Sequence, residues 1–373
     1  MQTGVVKLFG ATPDVSKIKE AAAVVDAGGL VAFPTETVYG IACRVRTDSL
    51  RRLNELKGRE AGKPYTLHIS RLSEVERYVP VIGMRAQKLI ERAWPGPLTI
   101  VFELDAEGIC RQRDRLDAEV FEHLYKGNSV GIRCPDDPVA SMLLEQTRHA
   151  VVAPSANISG HQPAVNAEEV LAQLGGRIEL LLDSGPCRYK KNSTVVKTGV
   201  KGLEILRQGV YSKEELEAIS AVRFLFVCTG NTCRSPMAEG MFGKYLAEKL
   251  ELRVDQLDAA GYKVGSAGII DTKGFAASAE AISACAARGV DIKAHKSRTL
   301  TEKLVRESDL IFAMCNMHWE RVIALGGEAG NKCMLLAENK DIPDPVGQPQ
   351  GFYESCADVI EEAVKKRINE LVI

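Results

Sequence analysis

A chain of 373 residues, 45% of them hydrophobic, is long enough for two or three domains with apolar cores of their own. Residues 1–220 carry 29 basic against 28 acidic side chains, or +1, and the remainder 19 against 21, or −2; neither part is a polybasic nucleic-acid platform. Ten cysteines without regular spacing and without a Cys-x-x-Cys pair exclude a secreted disulfide scaffold and a zinc site of that kind. Met1-Gln2-Thr3-Gly4 opens no export signal, and no stretch approaches the ~18 apolar residues of a membrane span, so a cytoplasmic protein is expected.

In chain order, Ala21–Gly28 reads as a small helix ending at Gly28-Gly29. Leu30-Val31-Ala32-Phe33-Pro34 reads as a strand that delivers the polar hexapeptide Thr35-Glu36-Thr37-Val38-Tyr39-Gly40. Arg51 to Lys57 has helical period, and Lys57, Arg59 and Lys63 then place three cations within seven residues, a cluster that suits a polyphosphate or, in isolation, a solvated face. Residues 105–127 are rich in charge without a clear period and are expected to form a hairpin-like or loop insertion. Ser212-Lys213-Glu214-Glu215-Leu216 begins a short polar helix in the expected linker, residues 213–222.

Five further segments complete a pattern with these: Trp94-Pro95-Gly96-Pro97-Leu98-Thr99, Val130-Gly131-Ile132-Arg133-Cys134-Pro135, Ala153-Pro154-Ser155-Ala156-Asn157-Ile158-Ser159-Gly160, Asn192-Ser193-Thr194-Val195-Val196 and Leu206-Arg207-Gln208-Gly209, with Lys57-Gly58-Arg59 before them. In this order they resemble the YrdC/Sua5 family of threonylcarbamoyl-adenylate synthases over about residues 15–212, taken as a domain of residues 1–212. The resemblance implies an α/β twisted open sheet and an activity joining L-threonine, bicarbonate and ATP, with Mg²⁺, into threonylcarbamoyl-AMP and pyrophosphate. It makes the tRNA threonylcarbamoyl transferase machinery a partner. It implies ATP contacts from Lys57, Arg59, Lys63, Ser155, Asn157, Ser193 and Arg207, and threonine contacts from Thr35, His68, Arg133 and Thr194, with no metal held by protein ligands alone. Arg133 suits a carboxylate because its guanidinium presents a planar fork of donors. Glu60, Tyr65 and Asp137 depart from the family's usual proline, leucine and histidine. An RNA-binding module without catalysis is the competing reading, against which the +1 charge weighs.

The most informative stretch follows. Arg223-Phe224-Leu225-Phe226-Val227 is a short apolar run that suits a buried strand, and Pro236 stands where the first turn of a helix tolerates a missing N–H. Between them, Cys228-Thr229-Gly230-Asn231-Thr232-Cys233-Arg234-Ser235 reads as a phosphate cradle with a nucleophile built in. A helix N-terminus attracts anions and lowers a cysteine's pKa, so Cys228 is expected as a thiolate, with Arg234 gripping phosphoryl oxygens.

The segment resembles the low-molecular-weight protein tyrosine phosphatase family, as do Ser266-Ala267-Gly268, His295-Lys296-Ser297-Arg298 and Asp344-Pro345, over a domain of residues 223–373. The resemblance implies a flavodoxin-like parallel sheet and dephosphorylation of a phosphoprotein without a cofactor. Cys228, Arg234 and Asp344 are its expected catalytic residues, Asp344 as general acid, with Thr229, Gly230, Asn231, Thr232, Cys233 and Ser235 in support. It also implies a protective Cys228–Cys233 disulfide. Thr232 matches the protein-arginine phosphatase branch, and Val346 follows Asp344-Pro345 where tyrosine-specific members carry an aromatic residue; phosphoarginine is therefore favoured over phosphotyrosine. Arsenate reductase is the runner-up, disfavoured because Cys285, Cys315, Cys333 and Cys356 are widely scattered.

Overall fold

The alternating apolar segments of the first two hundred residues build one mixed sheet. In the computed structural model, which describes the chain apart from residues 1, 9–12, 60, 61, 200, 328 and 339, the strands are β1 (Gly4–Lys7), β2 (Val31–Phe33), β3 (Gly40–Arg44), β4 (Thr66–His68), β5 (Leu98–Glu103), β6 (Ser129–Arg133), β7 (Val151–Val152), β8 (Leu180–Asp183), β9 (Thr194–Gly199) and β10 (Gly202–Arg207). They lie in the order β1-β8-β2-β3-β7-β4-β6-β5-β9-β10. Glu60 lies outside the described residues.

Register brings the polar strand ends together. The parallel pair β4–β6 sets His68 beside Arg133, and the antiparallel pair β5–β6 sets Arg133 beside Thr99. Parallel pairing of β5 with β9 brings Thr194, and the Ser193 that precedes it, to the same end of the sheet. The turn after β7 closes onto β3: Ala156 donates its N–H to the Tyr39 carbonyl at 2.7 Å, and Gly40 bridges Ser155.

Residues 105–127 correct the expected insertion. They form two helices, Ala106–Arg115 and Ala118–Leu124, whose starts are capped by the carboxylates of Asp105 and Asp117. Ile109, Leu116 and Leu124 sink into the core, too few apolar positions to show a period among so many charges. The expected linker is also structured over most of its length. The helix Lys213–Ser220 is part of the first unit, which comprises Met1–Gly199 and Leu203–Ser220. Leu216 there is fully buried, and Arg85 donates to Ser220 Oγ at 3.0 Å.

The second unit contains Ala221–Ile373 and a four-stranded parallel sheet. Its strands β11 (Val222–Cys228), β12 (Tyr262–Gly268), β13 (Leu310–Ala313) and β14 (Cys333–Leu335) stand in the order β12-β11-β13-β14. Side chains alternate across a strand, and both faces of β11 are buried. Phe224 and Phe226 meet Phe242 of the helix Arg234–Lys249 at centroid distances of 4.7 and 5.1 Å. Leu225 and Val227 join Ile311, Val305 and Val322 on the other face. Strand order reverses at β11, so the crevice at its carboxyl end is the switch point where doubly wound sheets bind ligands. Cys228 is the last residue of that strand.

Candidate active sites

The strand ends of the first unit line a cavity of about 920 Å³. Thr35, His68 and Arg133 contribute to its wall together with Lys57, Arg59, Lys63, Ser155, Ser193 and Arg207. Arg133 is 7% exposed at its side chain and pairs with Glu36, 1% exposed, at 2.8 Å; the same guanidinium nitrogen donates to Thr37 Oγ1 at 2.7 Å. The ion pair aims a guanidinium at the cavity from a buried position, and Glu36 is a contributor that sequence reasoning passed over although it lies inside the singled-out hexapeptide. His68, with Nδ1 3.2 Å from the Thr66 carbonyl, is driven down to about 3 by burial and then by Arg133, so its imidazole is neutral at physiological pH.

Lys57 is 3% exposed. Its Nζ donates to the Ser155 and Asn157 carbonyls at 2.5 and 2.6 Å, and burial, followed by Arg59, lowers its pKa to about 8. Lys57 thus pins the turn after β7 as well as lining the cavity. Arg59 lies 4.9 Å over the Tyr65 ring, whose hydroxyl donates to Asn54 Oδ1 at 2.5 Å. The leucine-to-tyrosine departure therefore supplies a platform for a cation. Asp137, the other described departure, caps the helix Pro138–Gln146 by accepting from Ala140 N at 2.9 Å, and burial lifts its pKa to about 6.

Two expected ligands lie elsewhere. Asn157 is absent from the cavity wall because its side-chain amide donates inward to the Ile158 and His161 carbonyls, both at 2.8 Å, holding its own turn. Thr194 is fully buried, with Oγ1 donating to the Tyr211 carbonyl and accepting from Tyr211 N, both at 2.9 Å. Ser193 and Arg207 remain on the wall, joined by an Arg207-to-Ser193 Oγ hydrogen bond of 2.9 Å.

In the second unit the loop from Cys228 to Ser235 wraps around the nucleophile's sulfur. Cys228 Sγ lies 2.9 Å from Ser235 Oγ and accepts from Asn231 N at 3.2 Å. Asn231 adopts φ +55°, and its buried amide donates to Ser235 Oγ (2.9 Å) and Ser266 Oγ (2.7 Å) while Oδ1 accepts from Arg298 N at 2.9 Å. A Cβ at residue 268 would meet Thr229 O at 2.7 Å, so Gly268 permits the loop's close approach. Burial pushes the Cys228 thiol up, against the lowering influence of Ser235, Arg234 and the Asn231 amide. Cys233 is also a free thiol, its Sγ 3.6 Å from Ser278 Oγ and 3.5 Å from Tyr353 OH.

Arg234 is 5% exposed and pairs with Asp344, donating also to the Ile342 carbonyl at 3.0 Å and to Thr229 Oγ1 at 3.1 Å. The structure thus brings Asp344 to the cradle across more than a hundred residues of chain. Gly230 and Thr232 serve through their carbonyls, which accept from Thr272 Oγ1 (2.5 Å) and Ser278 N (2.9 Å). Of the four remaining thiols in this unit, Cys285, Cys333 and Cys356 are buried and pushed up to about 12 by that burial, which leaves those three poor resolving partners; Cys315 is half-buried.

His318 gave no sequence signal, being a lone histidine in a helix. It is fully buried, with Nε2 2.9 Å from Thr229 Oγ1 and Nδ1 3.1 Å from Cys315 Sγ. Burial and then Arg234 lower its pKa to about 4. The folded value lies below the usual 6.5, so this contribution to stability is complete above pH 6.5 and is lost as pH falls towards 4. Relative to His318→Asn, wild type is expected to lose about 2 kcal/mol more between pH 7 and pH 5; equal losses in denaturant titrations would refute the assignment.

The geometry agrees with what comparison finds. A family model described as telomere recombination, the Sua5/YciO/YrdC model, matches residues 23–209, half of the chain. The chain belongs to the Sua5/YciO/YrdC family. The low molecular weight phosphotyrosine protein phosphatase model matches residues 223–372, so a phosphatase-family domain is fused to it. Within the Sua5/YciO/YrdC family, the threonylcarbamoyl-AMP synthase of Bacillus subtilis is 36% identical over 204 residues, 54% of this chain and 56% of that protein. The putative threonylcarbamoyl-AMP synthase of Mycobacterium tuberculosis H37Rv is 34% identical over 55% of this chain and 89% of its own length. The chain thus spans little more than half of the B. subtilis relative. The crystal structure of Pyrococcus abyssi Sua5 complexed with L-threonine shares the fold, with a TM-score of 0.52 at 20% identity, covering 97% of this chain and 98% of that one.

Proposed function

We propose that the first unit forms threonylcarbamoyl-AMP from L-threonine, bicarbonate and ATP. The observation that carries this reading is one cavity lined on one part by Thr35, His68 and Arg133 and on another by Lys57, Arg59, Lys63, Ser155, Ser193 and Arg207. The threonine amine and bicarbonate give a carbamate with loss of water; a carbamate oxygen attacks the α-phosphorus, and the bond to the β-phosphate oxygen breaks to release pyrophosphate. No covalent enzyme intermediate is needed, so positioning and charge neutralisation supply the catalysis. Arg133 binds the threonine carboxylate, and the neutral His68 accepts or donates a hydrogen bond without adding charge. Arg59 and Lys63 offset charge on the departing pyrophosphate. Among the described residues no three His, Cys, Asp or Glu side chains converge on a metal position. A Mg²⁺ ion fits this donor set as a companion of the triphosphate, the usual way that ion is held. The product would serve the machinery that transfers the threonylcarbamoyl group to tRNA, and the relatives' names and the threonine-bound P. abyssi protein support the substrate assignment. Pyrophosphate release requiring all three substrates is the expected result; release without threonine would refute it.

For the second unit the proposal is cysteine-dependent dephosphorylation of a phosphoprotein, with phosphoarginine preferred to phosphotyrosine. The Cys228 sulfur attacks phosphorus as a thiolate, any thiol proton passing to an oxygen of the phosphoryl dianion, and the P–N or P–O bond to the leaving group breaks as the P–S bond forms. Arg234 turns from Asp344 to the equatorial oxygens, and Asp344 protonates the leaving nitrogen or oxygen. Water then hydrolyses the thiophosphate and restores the thiol. Thr232 beside the cradle and Val346, 61% exposed after Pro345, support a guanidinium rather than a phenyl leaving group. Thr232→Ile is expected to shift kcat/KM towards phosphotyrosine peptides by about ten- to a hundredfold, since a buried donor of the guanidinium would lose its acceptor. An unmoved ratio would make the domain a tyrosine phosphatase.

A further inference from the structure

A guanidinium can only donate, so every hydrogen bond of Arg234 names an acceptor. Nη1 donates to the Ile342 carbonyl at 3.0 Å, and Nη2, which carries two hydrogens, donates to Thr229 Oγ1 at 3.1 Å and to Asp344. The contact with Asp344 is given up when a phosphoryl group binds, which leaves the Ile342 carbonyl and the Thr229 hydroxyl to fix the guanidinium's plane. A carbonyl is always an acceptor. A hydroxyl accepts only through its lone pairs, so the direction of the Thr229 O–H decides whether that oxygen holds Arg234.

His318 is placed to set that direction. The first turn of the helix Asn316–Leu325 fixes its backbone, His318 N donating to the Cys315 carbonyl at 3.1 Å. Its Nε2 lies 2.9 Å from Thr229 Oγ1 and its Nδ1 3.1 Å from Cys315 Sγ. Thr229 Oγ1 already accepts from Arg234, so its single proton is free to go to Nε2. Nε2 then accepts, and the imidazole proton sits on Nδ1, facing the sulfur. The ring is fully buried, and that burial, with the Arg234 charge, opposes a second proton that would turn Nε2 into a donor.

We propose that His318 is a positioning residue for phosphoryl transfer: by taking the Thr229 proton it keeps that oxygen as an acceptor for Arg234, and so holds the guanidinium ready for a phosphoryl dianion. Preorganised donors stabilise developing charge without having to reorganise at the moment of reaction. The rate effect rests on the phosphatase reading above; the hold on Arg234, read by phosphate binding, does not.

The test measures binding of inorganic phosphate to the full chain by calorimetry and follows hydrolysis of an aryl phosphate alongside. Thr229→Val and His318→Phe are each expected to weaken phosphate binding and to lower kcat/KM by about tenfold to a hundredfold, the weight of one hydrogen bond to a charged group. The double variant should be no worse than the poorer single one, because both changes remove the same support. Thr229→Ser keeps the hydroxyl and His318→Gln keeps an acceptor at the reach of Nε2, so both should recover most of the loss. Losses that multiply in the double variant, a His318→Gln as poor as His318→Phe, or phosphate affinity unchanged in either Thr229→Val or His318→Phe would each overturn the proposal. Where His318→Phe does not fold, an unchanged Thr229→Val still overturns it. A chain that binds phosphate but hydrolyses nothing refutes the phosphatase reading alone and leaves the calorimetry to judge His318; a wild type that binds no phosphate overturns both.

Discussion

Cys228→Ser is expected to lower phosphatase turnover on the order of 10⁴- to 10⁶-fold, the range seen when a covalent nucleophile is removed. Serine's hydroxyl is a far weaker nucleophile than sulfur, and the groups that act on Cys228 Sγ, the Ser235 hydroxyl and backbone, the Asn231 N–H and the Arg234 guanidinium, include no strong base to activate it. Pyrophosphate release by the other unit should stay within about twofold, since Cys228 belongs to a separately compact part of the chain. Hydrolysis of an activated aryl phosphate separates the outcomes; a variant retaining a tenth of the turnover would show that Cys228 is not the nucleophile.

Lys57→Ala should cost the first unit both fold and reaction. Its ammonium donates to two carbonyls, those of Ser155 and Asn157; the Ser155 carbonyl keeps the Asn157 N–H at 2.9 Å, so the loss falls on the buried Asn157 carbonyl and costs about 1–3 kcal/mol. The turn after β7 would then release Ser155 from the cavity wall, and ATP-dependent pyrophosphate formation is expected to fall at least a hundredfold, equivalent to about 3 kcal/mol of barrier. Lys57→Arg, which keeps charge and donors, should recover part of both. If pyrophosphate release by Lys57→Ala matches wild type while denaturant unfolding shows the stability loss, Lys57 is a structural clamp alone.

Much of the site was legible because its residues fall in short contiguous runs. Cys228 to Ser235 is one contiguous loop at a strand end, so its nucleophile, Arg and helix start are read together in the sequence, although Gly268, Ser266 and Arg298 help to hold its shape. Lys57, Arg59 and Lys63 follow one helix for the same reason. The helices at 106–115 and 118–124 escaped notice because their stability comes from Asp caps and a few buried side chains rather than from a periodic stripe. A polar residue in a motif looks identical whether its side chain faces a ligand or its own backbone; the bonds of Asn157 to the Ile158 and His161 carbonyls and of Thr194 to the Tyr211 carbonyl are visible only in the fold.

The motifs and their order carried the resemblance to two families, and with it the expectation of two α/β domains, while the strand–loop–helix pattern around Cys228 to Ser235 was itself legible as a phosphate cradle, since such motifs are runs local in the chain. Burial, pairing and protonation were decided by tertiary contacts. Glu36 meets Arg133 across 97 positions, Arg234 meets Asp344 across 110, and Thr229 meets His318 across 89. Desolvation of Cys228 likewise depends on everything packed around the sulfur, and it opposes the lowering that Ser235, Arg234 and the Asn231 N–H exert.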